Sequence, residues 1–241
     1  MTRVVEIRSD AEAMSRAAAD ALVQIVARSV EAAGRCTIAL AGGSTPARVY
    51  ALLATEHRDA IPWDAVHLFF GDERLLPRGH EDRNESMART ELIDQVPIPE
   101  DHVHPMPGSD EHADATEAAR AYEARLAEFF GNASEPPSFD LVLLGLGGDG
   151  HTASLFPGDS ALVADGRHVA GVERSPTPPH VPRTTLTLPV LDAARAAYFL
   201  VAGSSKREVV ASVLGEERCS FPAALVRPEA DTVWYLDQAA S

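Results

Sequence analysis

The chain has 241 residues, 45% hydrophobic and 24% charged, with a formal net charge of −15. That is enough apolar material for one sizeable core. It offers no apolar run of about 18 residues to cross a membrane, and its charge disfavours nucleic acid or an anionic membrane as the main partner.

In chain order, the opening "MTRVVEIRSD" lacks the apolar centre of a signal peptide, and Cys36 and Cys219 do not make a disulfide framework. Both point to a cytoplasmic protein in a reducing compartment. Residues 11–34 carry apolar positions at helical spacing, with Asp10 as N-cap and Gly34 as the stop. "CTIALAGG" reads as a buried strand and "PARVYALLATE" as a helix with Pro46 in its first turn. "DAVHLFFGDE" reads as one strand ending in acids. "ESMARTELID" and "EAARAYEARLAEFF" are helical, and "FDLVLLG" is a short, continuously apolar strand. "RHVAGVE" and "TTLTLP" read as strands. "AARAAYFLVAG", "SKREVVASVLG" and "DTVWYLD" follow as strand, helix and strand. This alternation predicts an α/β fold, a mostly parallel sheet covered by helices on both faces, with residues 1–241 as one domain. Two irregular stretches stand apart. Gly71–Asn84 is a polar loop of a length associated with function, and Glu173–Thr184 holds four prolines and reads as a linker or, better given the strands that flank it closely, as a rigid loop over a site.

Two glycine turns carry the chemistry. Gly145-Leu146-Gly147-Gly148-Asp149-Gly150 fits G-x-G-x-x-G, and Asp165 lies about where the ribose-binding acid of a dinucleotide fold belongs. The fingerprint, however, needs a full helix after its third glycine. Here Pro157 and Gly158 end the segment almost at once, and Asp149 would repel a pyrophosphate. The better reading is a strand-end turn that presents His151, the one side chain here that titrates near neutral pH, with Asp149 as its orienting neighbour. The alternative is a His151 that merely caps a short helix or fills a polar gap. The second turn, Gly42-Gly43-Ser44-Thr45, sits between a buried strand and a helix opened by Pro46. It offers backbone N–H groups at a positive helix end, suited to one phosphoryl group, although an ordinary N-cap by Ser44 or Thr45 would look the same. The Gly-Lys-Ser/Thr ending of a nucleotide-triphosphate loop is missing. Of 21 basic residues only Lys206 is lysine. It is either a chance survivor or a required compact ammonium. Together these features suggest a small sugar phosphate as ligand.

"LAGGSTP", "FFGDER", "LGLGGDGHTASLFPG" and "PRTTLTLP", in this order, resemble the 6-phosphogluconolactonases. With the preceding helix and "GSSKREVV" the resemblance spans nearly the whole chain, and "GGDGHTASLFPG" is its most specific part. It implies a Rossmann-like three-layer fold shared with glucosamine-6-phosphate deaminases, and hydrolysis of 6-phospho-D-glucono-1,5-lactone without metal or organic cofactor. It also implies His151 as catalytic base with Asp149 beside it, Gly42, Gly43, Ser44 and Thr45 as the phosphate-side loop, and Arg74, Arg183 and Lys206 as basic substrate contacts. Asn84 matches a family asparagine, but Arg83 stands where the family has serine, which weakens that correspondence. The expected partner is the sugar-phosphate lactone alone, and a monomer is expected over an oligomer. Three alternatives remain at this point. A deaminase or isomerase on the same fold would carry an acid where Phe156 stands and "DEY" in place of Asp72-Glu73-Arg74. A non-catalytic sugar-phosphate sensor would leave Asp149-Gly150-His151 unexplained. A dinucleotide oxidoreductase is the third.

Overall fold

The computed structural model describes residues 3–163, 166–215, 219–228 and 231–241. Asp165 lies outside the described residues. The strands are β1 (Arg3–Arg8), β2 (Cys36–Leu40), β3 (Val66–Phe70), β4 (Asp72–Arg74), β5 (Leu141–Leu144), β6 (Val169–Val172), β7 (Arg183–Leu186), β8 (Ala196–Val201) and β9 (Asp231–Asp237). The α-helices are α1 (Ala11–Ala33), α2 (Ser44–Glu56), α3 (Asn84–Glu91), α4 (Ala115–Phe130), α5 (Leu188–Asp192), α6 (Arg207–Leu214) and α7 (Pro222–Leu225). No helix among the described residues is long and apolar enough to cross a membrane.

Six strands form one sheet in the order β1-β9-β8-β5-β2-β3, and every pairing in it is parallel. All residues of β2 and β5 are buried, which requires cover on both faces and explains why these segments read as unbroken apolar runs. The helices begin and end where local chemistry dictates. Asp10 accepts the Ala13 amide at 2.8 Å to start α1, and Gly34, at φ 72°, closes it by donating to the Val30 carbonyl at 2.8 Å. One apolar cluster runs from Met14 to Ala240.

The structure departs from the expected elements at the N-terminus and after β3, and agrees with the loss of the fingerprint helix after Gly150. Residues 3–8 form β1, an edge strand pairing with β9 at the far end of the chain. "DAVHLFFGDE" is not one strand. A 3-10 turn precedes β3, the chain breaks at Gly71, and β4 joins a separate antiparallel sheet in the order β4-β7-β6. Gly71 makes the switch by donating to the Leu40 carbonyl and accepting from the Leu186 amide, both at 2.8 Å. Finally, no helix follows Gly150; residues 151–158 are turns and an isolated bridge between Thr152 and Leu155. The dinucleotide fingerprint therefore lacks its helix altogether.

Topology decides where a ligand fits. The chain leaves β2 toward β3 on one side, and after β5 it continues to β8 on the other. The strand order thus reverses between β2 and β5, and a crevice opens at their carboxyl ends. The turns after β2 and β5 are the two glycine turns.

Candidate active site

A cavity of about 370 Å³ lies at these strand ends. It is bounded by the Ala41–Pro46 turn, the Gly145–Gly148 turn with His151, and the chain just after β3 and β8. Gly42, Gly43, Ser44, Thr45, Arg74, Asn84, His151, Arg183 and Lys206 all line it. Asp149 does not; it stands behind His151.

The first turn is anchored by Tyr50, whose hydroxyl accepts from the Ala41 amide and donates to the Ala41 carbonyl, both at 2.9 Å. Gly43 occupies the N-cap of α2 at φ 102°, and no side chain caps the helix. The ordinary cap by Ser44 or Thr45 is thus not what the chain builds. The amides of the first turn keep their donor capacity, beside two hydroxyls and at the positive helix end.

The second turn is closed by Gly147 donating to the His151 carbonyl at 2.8 Å and Gly150 donating to the Gly147 carbonyl at 3.0 Å. Gly150 has φ 82°, and a Cβ there would run into the Phe221 ring. His151 Nδ1 lies 2.5 Å from Asp149 Oδ1, and the Phe156 ring packs against the imidazole with centroids 4.6 Å apart. Partial burial of Asp149 works against its charged form, but the charge of and hydrogen bonds from His151 outweigh it and hold the carboxyl below its ordinary range. An ionised carboxylate only accepts, so the proton of a neutral imidazole sits on Nδ1 and the Nε2 lone pair is free.

The small sheet brings the arginines. Residues i and i+2 of a strand share a face, so Asp72 and Arg74 turn toward the cavity while Glu73 points away to α3. Arg74 Nη1 donates to the Asp82 carbonyl at 2.5 Å, and its Nε is buried without a partner. Arg183 is 4% exposed; its Nη2 reaches the carbonyls of Thr177, Pro178 and Pro179 at 3.3–3.5 Å, and its Nε is likewise unpartnered. Burial, with Arg74 nearby, lowers the Arg183 pKa against the pull of Asp72 and Glu73. The proline-rich stretch therefore forms a wall: Thr177 and Pro178 line the cavity. Lys206, on a 3-10 turn after β8, donates from Nζ to the Leu146 carbonyl at 2.7 Å and so ties the β8 side to the second glycine turn.

Asn84 is 2% exposed. Its Nδ2 donates to the Asp72 carbonyl at 2.8 Å and to Asp72 Oδ1 at 3.2 Å, and its side chain fills the space that a Cβ on Gly42 would take. Beside it Arg83, fully buried, donates to the Leu76 and Met106 carbonyls at 2.9 and 2.8 Å and pairs with Glu85 at 3.1 Å. Arg83 thus braces the loop from behind rather than facing the cavity. Glu73 accepts the amides of Arg74, Asn84 and Glu85 at 2.7–2.9 Å, capping α3; burial pushes its carboxyl up to about 7 against Arg83 and these donors. Thr177 and Pro178 belong to the Glu173–Thr184 stretch expected to lie over a site, whereas Asp72 and Ala153 were not expected among the lining residues, although the i, i+2 spacing of Asp72 and Arg74 is a usable signal for the first. Among the described residues no group of three or more His, Cys, Asp or Glu is arranged to hold a metal ion.

A family model for glucosamine-6-phosphate isomerases/6-phosphogluconolactonase matches residues 9–234. The chain belongs to this family. A 6-phosphogluconolactonase of Synechocystis is 42% identical over 218 residues, covering 89% of this chain and 87% of that one. The Mycobacterium leprae 6-phosphogluconolactonase is 40% identical over 244 residues, covering 100% and 98%. Among solved structures, 6-phosphogluconolactonase from Trypanosoma cruzi superposes with a TM-score of 0.88 at 33% identity, covering 99% of this chain and 96% of that one. A monomeric glucosamine-6-phosphate deaminase superposes at 0.79 with 21% identity, which shows a shared fold and nothing finer. Both branches of the family thus use this architecture, and side chains must distinguish them.

Proposed function

We propose that the protein hydrolyses 6-phospho-D-glucono-1,5-lactone to 6-phospho-D-gluconate, the second step of the oxidative pentose phosphate pathway, as a single cytoplasmic catalytic unit. The observation that carries this reading is the His151–Asp149 pair, 2.5 Å apart, at the wall of a cavity also lined by Arg74, Arg183 and Lys206. A lactone is an activated ester, so the reaction needs neither a covalent nucleophile nor a metal. His151 Nε2 takes a proton from water as the water oxygen attacks C1. The tetrahedral intermediate collapses with cleavage of the bond from C1 to the ring oxygen, and His151 returns the proton to that oxygen. Asp149 holds the imidazole in the required tautomer and stabilises the imidazolium. Amides of the Gly145–Gly150 turn, or Arg74, offset charge on the carbonyl oxygen. The Gly42–Thr45 turn, Arg183 and Lys206 bind the phosphate and supply remote binding energy.

The deaminase reading is disfavoured by Phe156. It stands where the deaminases are expected to carry an acid, is 1% exposed and packs on the His151 ring. The test generates the lactone in situ from glucose 6-phosphate and follows hydrolysis above the spontaneous rate. His151→Ala is expected to lower kcat by about 10²–10⁴-fold, with a much smaller effect on 6-phosphogluconate binding. Turnover near wild type in His151→Ala would sink the assignment. Binding of 6-phosphogluconate without turnover in the wild type would favour a sensor.

A further inference from the structure

The turn that follows His151 has an unusual shape. Ala153, at its centre, has φ 47°, a left-handed conformation that a residue with a Cβ keeps only where its surroundings impose it. Two pins flank it. On one side the Thr152 hydroxyl donates to the Gly145 carbonyl at 2.9 Å. On the other, the Ser154 amide donates to Thr185 Oγ1 at 3.2 Å, and the Ser154 hydroxyl donates to Asp72 Oδ2 at 2.6 Å. That second bond is short and charge-assisted, the stronger kind of hydrogen bond. It spans 82 residues of chain. Ser154 is fully buried and does not line the cavity, whereas Asp72 does. The same Asp72 carboxylate receives Asn84 Nδ2 and lies 4.0 Å from Arg183 Nη1. The Ser154 hydroxyl, together with the weaker amide bond to Thr185 of β7, therefore ties the His151 turn, which leaves the large sheet, to the small sheet that carries Arg74 and Arg183. Two residues beyond Ser154, Phe156 backs the imidazole.

We infer that Ser154 is a positioning residue for the hydrolysis proposed above. By anchoring to Asp72 it holds the turn that keeps the His151 ring against Asp149 and at a set separation from the arginine side of the cavity. The inference rests on His151 being the base, so its test carries a second readout that needs no turnover. Ser154→Ala should lower kcat at least tenfold while KM stays within twofold, measured well below the melting temperature. The downfield proton resonance of His151 Nδ1–H, hydrogen-bonded to Asp149, should shift or broaden in the same variant. Wild-type kcat with an unmoved resonance in folded Ser154→Ala overturns the inference, whatever the loss of Tm. A rise in KM at constant kcat, or a fall in kcat with an unmoved resonance, also overturns it, because Ser154 would then act elsewhere. If the wild type fails to hydrolyse the lactone while the resonance still moves in Ser154→Ala, the lactonase reading falls and the positioning of His151 stands. Should the alanine variant not fold, Ser154→Cys fills the site but puts a larger sulfur and a weak S–H donor where the hydroxyl was, so the 2.6 Å bond to Asp72 Oδ2 cannot form. A lowered kcat at unchanged KM with a moved resonance supports the inference there, and wild-type values of both overturn it.

Discussion

Gly147→Ala isolates the geometry of the proposed catalytic pair. Gly147 is not among the glycines at positive φ, so alanine can adopt its backbone, and the substitution acts through its methyl group alone. That Cβ would lie 2.7 Å from Asp149 Oδ1 and nearer still to the His151 ring, where ordinary contact begins at 3.4 Å. The carboxylate alone must give way by about 0.7 Å and the imidazole by more. A displacement of about 1 Å at a reacting group costs about 10²-fold in rate, or about 2.7 kcal/mol of transition-state stabilisation. The expected result is therefore a kcat roughly a hundredfold lower in the coupled lactone assay. Affinity for 6-phosphogluconate by calorimetry should change little, because the Gly42–Thr45 turn and Arg183 are not among the atoms the methyl would meet. Wild-type kcat would refute the idea that the pair must be held in this arrangement. An equally large loss of product affinity would refute it differently, by showing that the methyl blocks the cavity instead of moving the ring.

Gly42→Ala attacks the other turn: its methyl would overlap the Asn84 side chain, which is held by Asp72. Affinity for 6-phosphogluconate should fall at least tenfold by calorimetry, and an unchanged Kd would deny the turn its proposed phosphate role. Acid should weaken the fold at a cluster remote from the cavity. His67 Nδ1 lies 3.2 Å from His104 Nε2, with the tilted His102 ring against His67, centroids 3.9 Å apart. Burial first, then the neighbouring histidines (and Arg35 for His67) depress both His67 and His104 to about 4, against Asp101. Above pH 6.5, the ordinary value, both are neutral folded or unfolded; between 6.5 and about 4 the unfolded chain takes up protons that the folded chain refuses. Stability should thus drop as pH falls through that window, by on the order of 1 kcal/mol per histidine after allowing for their partial exposure. Urea midpoints at pH 7.5 and 5 should differ less in a His67→Gln, His104→Gln double variant; an equal difference would exonerate the cluster.

What could be read from the sequence was whatever is encoded locally. The caps of α1, the unbroken apolar runs of β2 and β5, and both glycine turns each announce themselves within a few residues. What escaped is set by partners far along the chain. β1 carries Val5 and Ile7 exposed at the sheet edge and becomes a strand only by pairing with β9. The break at Gly71 depends on the Leu40 carbonyl capturing its amide. Arg83 illustrates the harder case. In a polar stretch it reads only as a departure from the family pattern, and its burial is not legible there: Glu85 and two main-chain carbonyls receive its guanidinium and Glu73 lies within 3.7 Å. Burial of a charge is decided by those partners, and no local pattern lists them.

The charge balance raises a problem that the cavity answers. A chain with a net charge of −15 repels the anionic sugar phosphate proposed as its substrate, and two carboxylates stand beside or behind the cavity wall. Each is already engaged. Asp149 is occupied by His151, while Asp72 takes hydrogen bonds from Ser154 and Asn84 with Arg183 nearby. The guanidinium groups of Arg74 and Arg183, the first-turn amides of α2 and the Lys206 ammonium remain as the positive lining. Lys206 also suits a different task from the arginines around it. Its compact ammonium can donate to the Leu146 carbonyl and keep two further protons for an incoming oxygen. A guanidinium at that place would be larger and planar. The only lysine of the chain thus stands where the second glycine turn meets the cavity, and that placement favours a required residue over a chance survivor of an arginine-rich composition.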